Sequence, residues 1–479
     1  MADEHFDVVI IGAGMAGMAA AIRLAHFGKS VCIFERHNAV GGLNSFYSLE
    51  RRQFDVGLHA MTNFVPPGVR GTPLVKLLRQ LRIGREELDL CEQVGSRIAF
   101  PGISLRFTNE FSFFETEIAE NFPSQIDGFR RLVEAIREYD DVALDSETVS
   151  AREVVGRYLT DPLLIEMLFC PLMYYGSARE NDMDFYQFAI MFKAIFFEGF
   201  ARPREGVRRL IRLLIQKSRK AGAKRKMKCG VKRLIVEDNQ VRGVVLDNGK
   251  TVTADIVLSS IGDLETRRLW QEESIEDRHP EAGRLSFVET ISVLDTKPVD
   301  LGWDETIVFF NDSEKFHYEV PKDRVDPRSG VICFPNNFGH GGEDPLDEGW
   351  FRVTSLANYE RWCELPEEEY RREKEIWFEK MNRAARQFLP PIEDEKLAAH
   401  TAMRDIFTPR TIKKYTGHLN GAVYGAPNKI KDGRTPVENL FLCGTDQGFL
   451  GIIGAMLSGI SMANLHVLSK SGATPVSVG

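Results

Sequence analysis

Six residues near the amino terminus, Gly12-Ala13-Gly14-Met15-Ala16-Gly17, carry the first chemical signal. Glycine at 12 permits a tight turn, glycine at 14 lets an anion reach the backbone, and glycine at 17 lets a helix lie close on a strand. The chemistry this suits is pyrophosphate binding at a helix N-terminus, where free N–H groups and the helix dipole favour negative charge. Glu35 closes the next apolar run, 18 residues after Gly17. A carboxylate there can accept both hydroxyls of an adenosine ribose. A glycine-rich turn in an unrelated unit is the competing explanation. It is disfavoured because strand, helix and acid all fall in place.

Glu35-Arg36 is followed by Gly41-Gly42 and Leu43. A second glycine pair just past the ribose acid suits a dinucleotide that runs on through its pyrophosphate into a ribityl chain. That points to FAD rather than NAD, with a plain surface turn as the alternative. Near the other end stands Leu442-Cys443-Gly444-Thr445-Asp446, then Gly448, Gly451, Ile453, Gly454 and Ala455. A strand-Gly-x-Asp turn can set Asp446 on a ribityl hydroxyl; a role as base is the weaker option. The helix that follows repeats Gly451, Ala455, Gly459 and Ala463 at i+4, one small-residue face able to pack on a backbone or a flat ring. Its N-terminus would offer positive potential to reduced flavin.

Elements must hold these residues in place. Residues 6–11, 16–27 and 30–35 read as strand, helix and strand, a βαβ unit. Residues 109–200 are mostly helical and aromatic. A basic helix at 206–221 precedes a strand at 231–236 and a hairpin around Asp247-Asn248-Gly249-Lys250. Residues 255–261 form another buried strand. Residues 286–295, 305–311 and 316–320 read as strands of a different sheet, and 367–388 as a charged amphipathic helix. Residues 439–443 are a strand, 452–467 a helix, and 469–479 a loose polar tail. The 479 residues fit two or three domains. The expected architecture is α/β: a Rossmann-type FAD-binding domain from segments 1–108, 201–285 and 407–479, with an inserted α+β substrate domain from 109–200 and 286–406.

FDVVIIGAGMAGMAAAIRLAHFGKSVCIFERHNAVGGLNSFY, followed by FDVGLHAM at 54–61, resembles the phytoene desaturase, carotenoid isomerase and retinol saturase group of FAD oxidoreductases. NLFLCGTDQGFLGIIGAMLSGISMAN is similar to that group's flavin-binding terminus, and FTPRTIKKYTGHLNGAVYGAP to the stretch before it. Residues 201–262 resemble the group's middle FAD segment. The resemblance implies non-covalent FAD, Val231 on the adenine side, Gly262 at the end of the middle segment, and Gly57 and His59 of Asp55-x-Gly57-x-His59 beside the flavin. Two positions depart: Leu43 stands where many relatives have Arg, and Glu205-Gly206 replaces a glycine pair. Residues 109–200 match nothing in the group.

The group's reactions move a hydride between a carbon and flavin N5, making, saturating or isomerising a C=C bond. The expected activity is therefore a desaturase, saturase or isomerase acting on a long polyene or isoprenoid lipid. Such a substrate binds through apolar burial, at about 25 cal/mol per Å². His59 is the leading polar candidate, as a proton relay; backbone hydrogen bonding is its plainer role. Phe185, Phe188, Phe192, Phe196 and Phe197 lie at helical spacings. They fit a core stripe or, more sharply, a lid or membrane-dipping helix, with Phe188, Phe192 and Phe196 lining a substrate tunnel together with Arg410 and Tyr424. Competing activities are a hydroxysqualene-type or fatty-acyl lipid oxidoreductase, a flavin amine oxidase, which needs an aromatic cage, and a non-catalytic flavin-bound adaptor.

Composition narrows the classes. The net charge of −8 argues against a nucleic-acid binder. The seven cysteines contain no CxxC pair, so a zinc ribbon or disulfide scaffold is not expected. The 32 phenylalanines stand out against 11 tyrosines and 5 tryptophans. No apolar run of about 18 residues is evident, 185–200 coming nearest. A cytoplasmic protein, with peripheral contact to a membrane's inner face as an option, is expected. Residues 201–233 hold fourteen Lys or Arg and one acid, Glu205, a net +13 against −21 elsewhere. This segment is either a solvated face or a surface for anionic lipid headgroups or an acidic carrier protein.

Overall fold

The computed structural model describes residues 4–140, 147–271, 275–276, 279–342 and 346–469. Two seven-stranded sheets organise them. In the first, Val231–Glu237, Gln240–Leu246, Thr251–Ser259, Glu4–Ile11, Val31–Phe34 and Lys224–Lys226 follow in that order. Leu440–Leu442 pairs with the carboxyl half of Thr251–Ser259. Glu4–Ile11 lies between two parallel neighbours, and its two faces pack into different apolar clusters, Val8 and Ile10 in one and Val9 and Ile11 in the other, so its sequence reads as an apolar run rather than an alternation.

The helix Met15–Ala25 buries ten of its eleven residues and ends before Gly28, whose φ is +74°. Two of the helices packed on it come from far along the chain. One is Val207–Ala221, which turns Val207, Leu210, Ile211 and Leu214 inward. The other is Gly451–Ala463, where a Cβ at Gly459 would lie 2.0 Å from the Ala16 carbonyl oxygen. Together with Asn464–Leu468 this last helix forms an 18-residue run that is apolar on average, which the sequence survey overlooked. It meets the length of a membrane span, yet 61% of it is buried inside the protein, so it serves as a core helix.

The second sheet runs Thr401–Phe407, Ser286–Leu294, Gly349–Ala357, Ser329–Cys333, Ile307–Asn311, Ser96–Phe100 and Ile103–Phe107. The expected first segment, 1–108, therefore lends its last two strands to this sheet. Residues 316–320 form no strand; Phe316 and Tyr318 are simply buried in an irregular stretch. Alternation divides the sheet's faces. Phe309 and Val331 face the helical insert, whereas Val308, Phe310 and Ile332 face Trp377, Phe378 and Met381 of the helix Glu367–Arg386.

The helix Phe185–Phe192 continues into a π-helical turn, Lys193–Phe197. Its rings belong to the core. Phe196 stacks on Phe114 at 4.3 Å and meets Phe107 edge-on at 5.3 Å, Phe188 packs on Phe169 at 5.1 Å, and Phe192 lies 6.2 Å from Phe129. The lid and membrane-dipping expectation fails here. Helices Phe111–Asn121, Ile126–Glu138 and Pro162–Gly176 already cover the stripe. The polar tail beyond residue 469 lies outside the described residues.

Candidate functional site

A continuous cleft opens at the carboxyl ends of the parallel strands, where open α/β sheets place their ligands. At one end Glu35 is held by two backbone donors: Ala13 N–H at 2.8 Å and His37 N–H at 2.7 Å, one on each carboxylate oxygen. Each oxygen keeps accepting capacity for a hydroxyl. Gly12, Arg36 and Val231 line the same end.

Gly14, Gly42, Leu43, Val56, Ser260 and His418 line the middle. The glycines differ in what surrounds them. A Cβ at Gly17 would sit 2.2 Å from the Gly12 carbonyl oxygen, so Gly17 serves helix packing. A Cβ at Gly14 would meet nothing within 4 Å, so that backbone faces open space. The helix beginning at Met15 has no side-chain cap and no acid in its first turn, which leaves its N–H groups free for an anion. Gly41, at φ +118°, bends the second glycine turn back so that its N–H donates to the Ala13 carbonyl at 2.9 Å. The cradle fits a dinucleotide running from Glu35 past Gly14 and Gly42. His418 sits 3.6 Å from the Glu265 carboxylate. Burial works against its charge, but Glu265 outweighs burial and raises its pKa above the usual histidine value.

At the far end Gly57, Gly444, Gly451 and Ala455 face a chamber walled by Tyr174, Tyr175, Phe287, Val331, Val423 and Tyr424. The Phe287 ring lies 5.8 Å from Tyr174 and 6.0 Å from Tyr424. The Tyr174 hydroxyl is 2.9 Å from Ser329 Oγ, and the Tyr424 hydroxyl donates to the Tyr174 carbonyl, so both phenols are already occupied.

Among the polar groups lining this chamber are His59, Glu289 and Thr354, and they contact one another. His59 Nε2 lies 2.9 Å from Glu289 Oε1 and 3.1 Å from Thr354 Oγ1. Arg352, 1% exposed, grips both Glu289 oxygens at 2.8 Å and donates to the Leu58 and Asp55 carbonyls. Arg202, in a buried ion pair with Asp55, donates to the Leu58 and His59 carbonyls. Burial would raise the Glu289 pKa, but Arg352 and His59 bring it down to about 2. Burial lowers the His59 pKa, and the Glu289 contact offsets this only in part. The resting state is thus a neutral imidazole against an ionised carboxylate.

Residues 15–465 match the family of flavin containing amine oxidoreductases. The chain belongs to this family. It is a flavin oxidoreductase with the FAD-binding α/β fold. Prolycopene isomerase 2 of an Oncidium hybrid cultivar is 20% identical, covering 96% of this chain and 84% of its own. All-trans-retinol 13,14-reductase of Danio rerio is 23% identical, covering 99% and 89%. The crystal structure of an oxidoreductase from Methanosarcina mazei superposes with a TM-score of 0.65 at 16% identity, covering 95% and 99%. These relatives bear out the resemblance to the carotenoid isomerase and retinol saturase group.

Against the family's flavin cleft, several expected site residues lie elsewhere. Asp446 is buried, and its two oxygens accept from Ala426 N–H at 2.8 Å and Asp263 N–H at 2.7 Å. It ties three segments together instead of facing a ribityl hydroxyl. Gly262 caps the short helix Asp263–Arg267, and a Cβ there would strike Glu265. Ile453 is buried in the helix, and Gly454 packs on Phe449; their neighbours Ile452 and Ala455 face the cleft. Arg410 turns to Glu367 at 3.0 Å and stacks on Tyr370 at 4.5 Å, away from the chamber. Phe188, Phe192 and Phe196 lie in the core, as described. Gly12, Gly14, Ala16, Glu35, Arg36, Gly41, Gly42, Leu43, Gly57, His59, Val231, Gly444, Gly451, Ala455 and Tyr424 all line the cleft. Sequence reasoning missed Ser260, His418, Glu289, Thr354, Arg352 and the Tyr174-Tyr175 wall.

The basic segment is partly neutralised within the fold. Lys217 pairs with Glu87 at 2.8 Å and Lys224 with Glu4 at 3.1 Å, while Arg202, Arg212 and Lys226 pair with Asp55, Glu205 and Glu4.

Proposed function

We propose that this flavoenzyme holds FAD non-covalently and moves a hydride between the flavin and a CH–CH or C=C unit of a long polyene or isoprenoid lipid, as a desaturase, saturase or isomerase. The observation that carries this is the chamber beside the glycine cradle. Its walls are mainly aromatic and aliphatic, with His59, Glu289 and Thr354 among the polar part, and its tyrosine hydroxyls at 174 and 424 are spent on the protein. Bound FAD would supply the electron-accepting ring. Gly14, Gly42 and the first helix would hold its pyrophosphate, Glu35 its adenosine ribose, and Gly57, Gly444, Gly451 and Ala455 would leave room for the ring.

Rings from Tyr174, Tyr175, Phe287 and Tyr424 do supply the aromatic residues that a cage needs. Yet among the described residues Glu289 is the one carboxylate lining this chamber, and Arg352 already neutralises it. A cationic amine would find no free counter-ion there. The names of the carotenoid and retinol relatives favour the same conclusion. The test is anaerobic. Purified holoenzyme is mixed with a long polyene or with a panel of amines, and the flavin absorbance is followed. Bleaching or reoxidation by polyenes supports the proposal; reduction by amines alone overturns it.

A further inference from the structure

We propose that His59 is the proton-exchanging residue of this site, acting through Nδ1, and that Glu289 and Arg352 are the positioning residues that dedicate that nitrogen to the chamber. The proposal rests on the function proposed above for its substrate, but its geometry stands apart from that choice.

An ionised carboxylate only accepts hydrogen bonds. The imidazole atom facing it at 2.9 Å, Nε2, must therefore carry the hydrogen. In a neutral ring that leaves Nδ1 with a lone pair. Among the described residues Nδ1 has no hydrogen-bond partner, and His59 lines the chamber. The backbone around the ring is also clamped. Arg202 donates to the His59 carbonyl at 3.0 Å, and Arg352 donates to Leu58 at 3.0 Å. Asn44 donates from its amide to the Gly57 carbonyl at 3.1 Å, which couples this stretch to the glycine turn at 41 and 42. Four strands or turns thus converge to fix one nitrogen near the glycines that would border the flavin.

Atoms and electrons balance simply. In the direction that forms a double bond, two C–H bonds break and a π bond forms. The hydride would leave to oxidised flavin, the electron acceptor that the glycine cradle would hold, and the proton would leave to His59 Nδ1. In the saturating direction, the imidazolium returns the proton to one carbon as the hydride reaches the other. The imidazolium formed is held against Glu289, and the surrounding charged and titratable groups are Arg352, Arg202, Asp55, Cys333, Tyr174, Tyr175 and Tyr424. Glu289 favours the charged ring, whereas the two arginines oppose it. The ring is therefore neutral before the proton arrives and loses it readily afterwards, which suits exchange in both directions.

The test uses holoenzyme carrying ¹⁵N in its histidine rings, as wild type and as His59→Gln. The difference spectrum isolates His59. The expected signal has a protonated Nε2, an unprotonated Nδ1, and no protonation until the pH is below the ordinary histidine value of about 6.5. A hydrogen on Nδ1, or titration at or above that value, overturns the proposal. The second measurement is the rate at which one bound flavin is reduced by whichever substrate, polyene or amine, reduces the wild type. His59→Gln, with flavin retained, should be slower by about 10²–10⁴-fold. Glu289→Gln should move the acid limb of the pH profile to lower pH, because the imidazolium loses its counter-ion. A His59→Gln rate within about threefold of wild type removes His59 from the chemistry. If only amines reduce the wild type, the substrate proposal fails, while the His59 rate ratio still decides the inference.

Discussion

Glu289 decides the electrostatics around His59, because it joins a buried arginine to that imidazole. Replacing it by Leu leaves Arg352 charged and unpaired in the interior, at a cost of about 3–5 kcal/mol. The melting temperature should fall accordingly, as differential scanning calorimetry would show. The pH dependence has a definite sign. Glu289 releases its proton more readily folded, at about 2, than unfolded, at about 4.3. Its stabilisation is complete above the unfolded value and is lost as the pH falls towards 2. Wild-type stability should decline across that window by more than in Glu289→Leu. His418 has the opposite sign. Its folded pKa is raised, so its positive charge persists past the unfolded value and is lost as the pH rises further. Flavin affinity in equilibrium dialysis should weaken over that rise, and His418→Leu should lose the slope along with about 1–2 kcal/mol of binding. None of these partners was legible from spacing. Glu289, Arg352 and Thr354 stand 230 to 295 positions from His59 and reach it only through strand register. His59 itself was visible through the resemblance around Gly57.

The glycine turn is the element that was most readable, since its requirements are local: an apolar strand, a tight turn, an alanine-rich helix and an acid at the next strand's end. Its glycines should still separate by experiment. Gly14→Leu places a side chain in open space, so the protein should fold normally and purify colourless. Gly17→Ala drives a methyl into the Gly12 carbonyl at 2.2 Å and should destabilise the fold by about 1–3 kcal/mol. Paired measurements of melting temperature and flavin absorbance distinguish the two. The phenylalanine helix teaches the reverse lesson. Helical spacing shows that one face is apolar but not what covers it, and here other aromatic helices do. Phe192→Ala should cost about 3–5 kcal/mol as a core cavity, with little effect on substrate affinity in the surviving folded protein. Asp446 misled for a related reason: its turn is local, but the N–H groups that claim its oxygens belong to residues 263 and 426.

At the scale of the whole molecule, the cleft exists because two sheets meet. The first supplies glycines and Glu35 from its strand ends. The second supplies His59's partners from Ser286–Leu294 and Gly349–Ala357. The α/β class was legible, because parallel strands and hairpins leave different periodicities. The exchange of strands at 96–107 was not, because two short strands with apolar alternation fit either sheet until their partner at Ile307–Asn311 is known. On the proposed function the chamber that results would take an apolar chain, and its chemistry can be read from the product. Stoichiometric holoenzyme would be incubated anaerobically with a long polyene, and the recovered lipid resolved by mass and by double-bond geometry. The expected result is a polyene altered by one hydrogen pair or isomerised, with the flavin changing redox state when hydrogens are lost or gained. A polyene recovered unchanged, from an enzyme that oxidises amines and releases hydrogen peroxide in air, would contradict it.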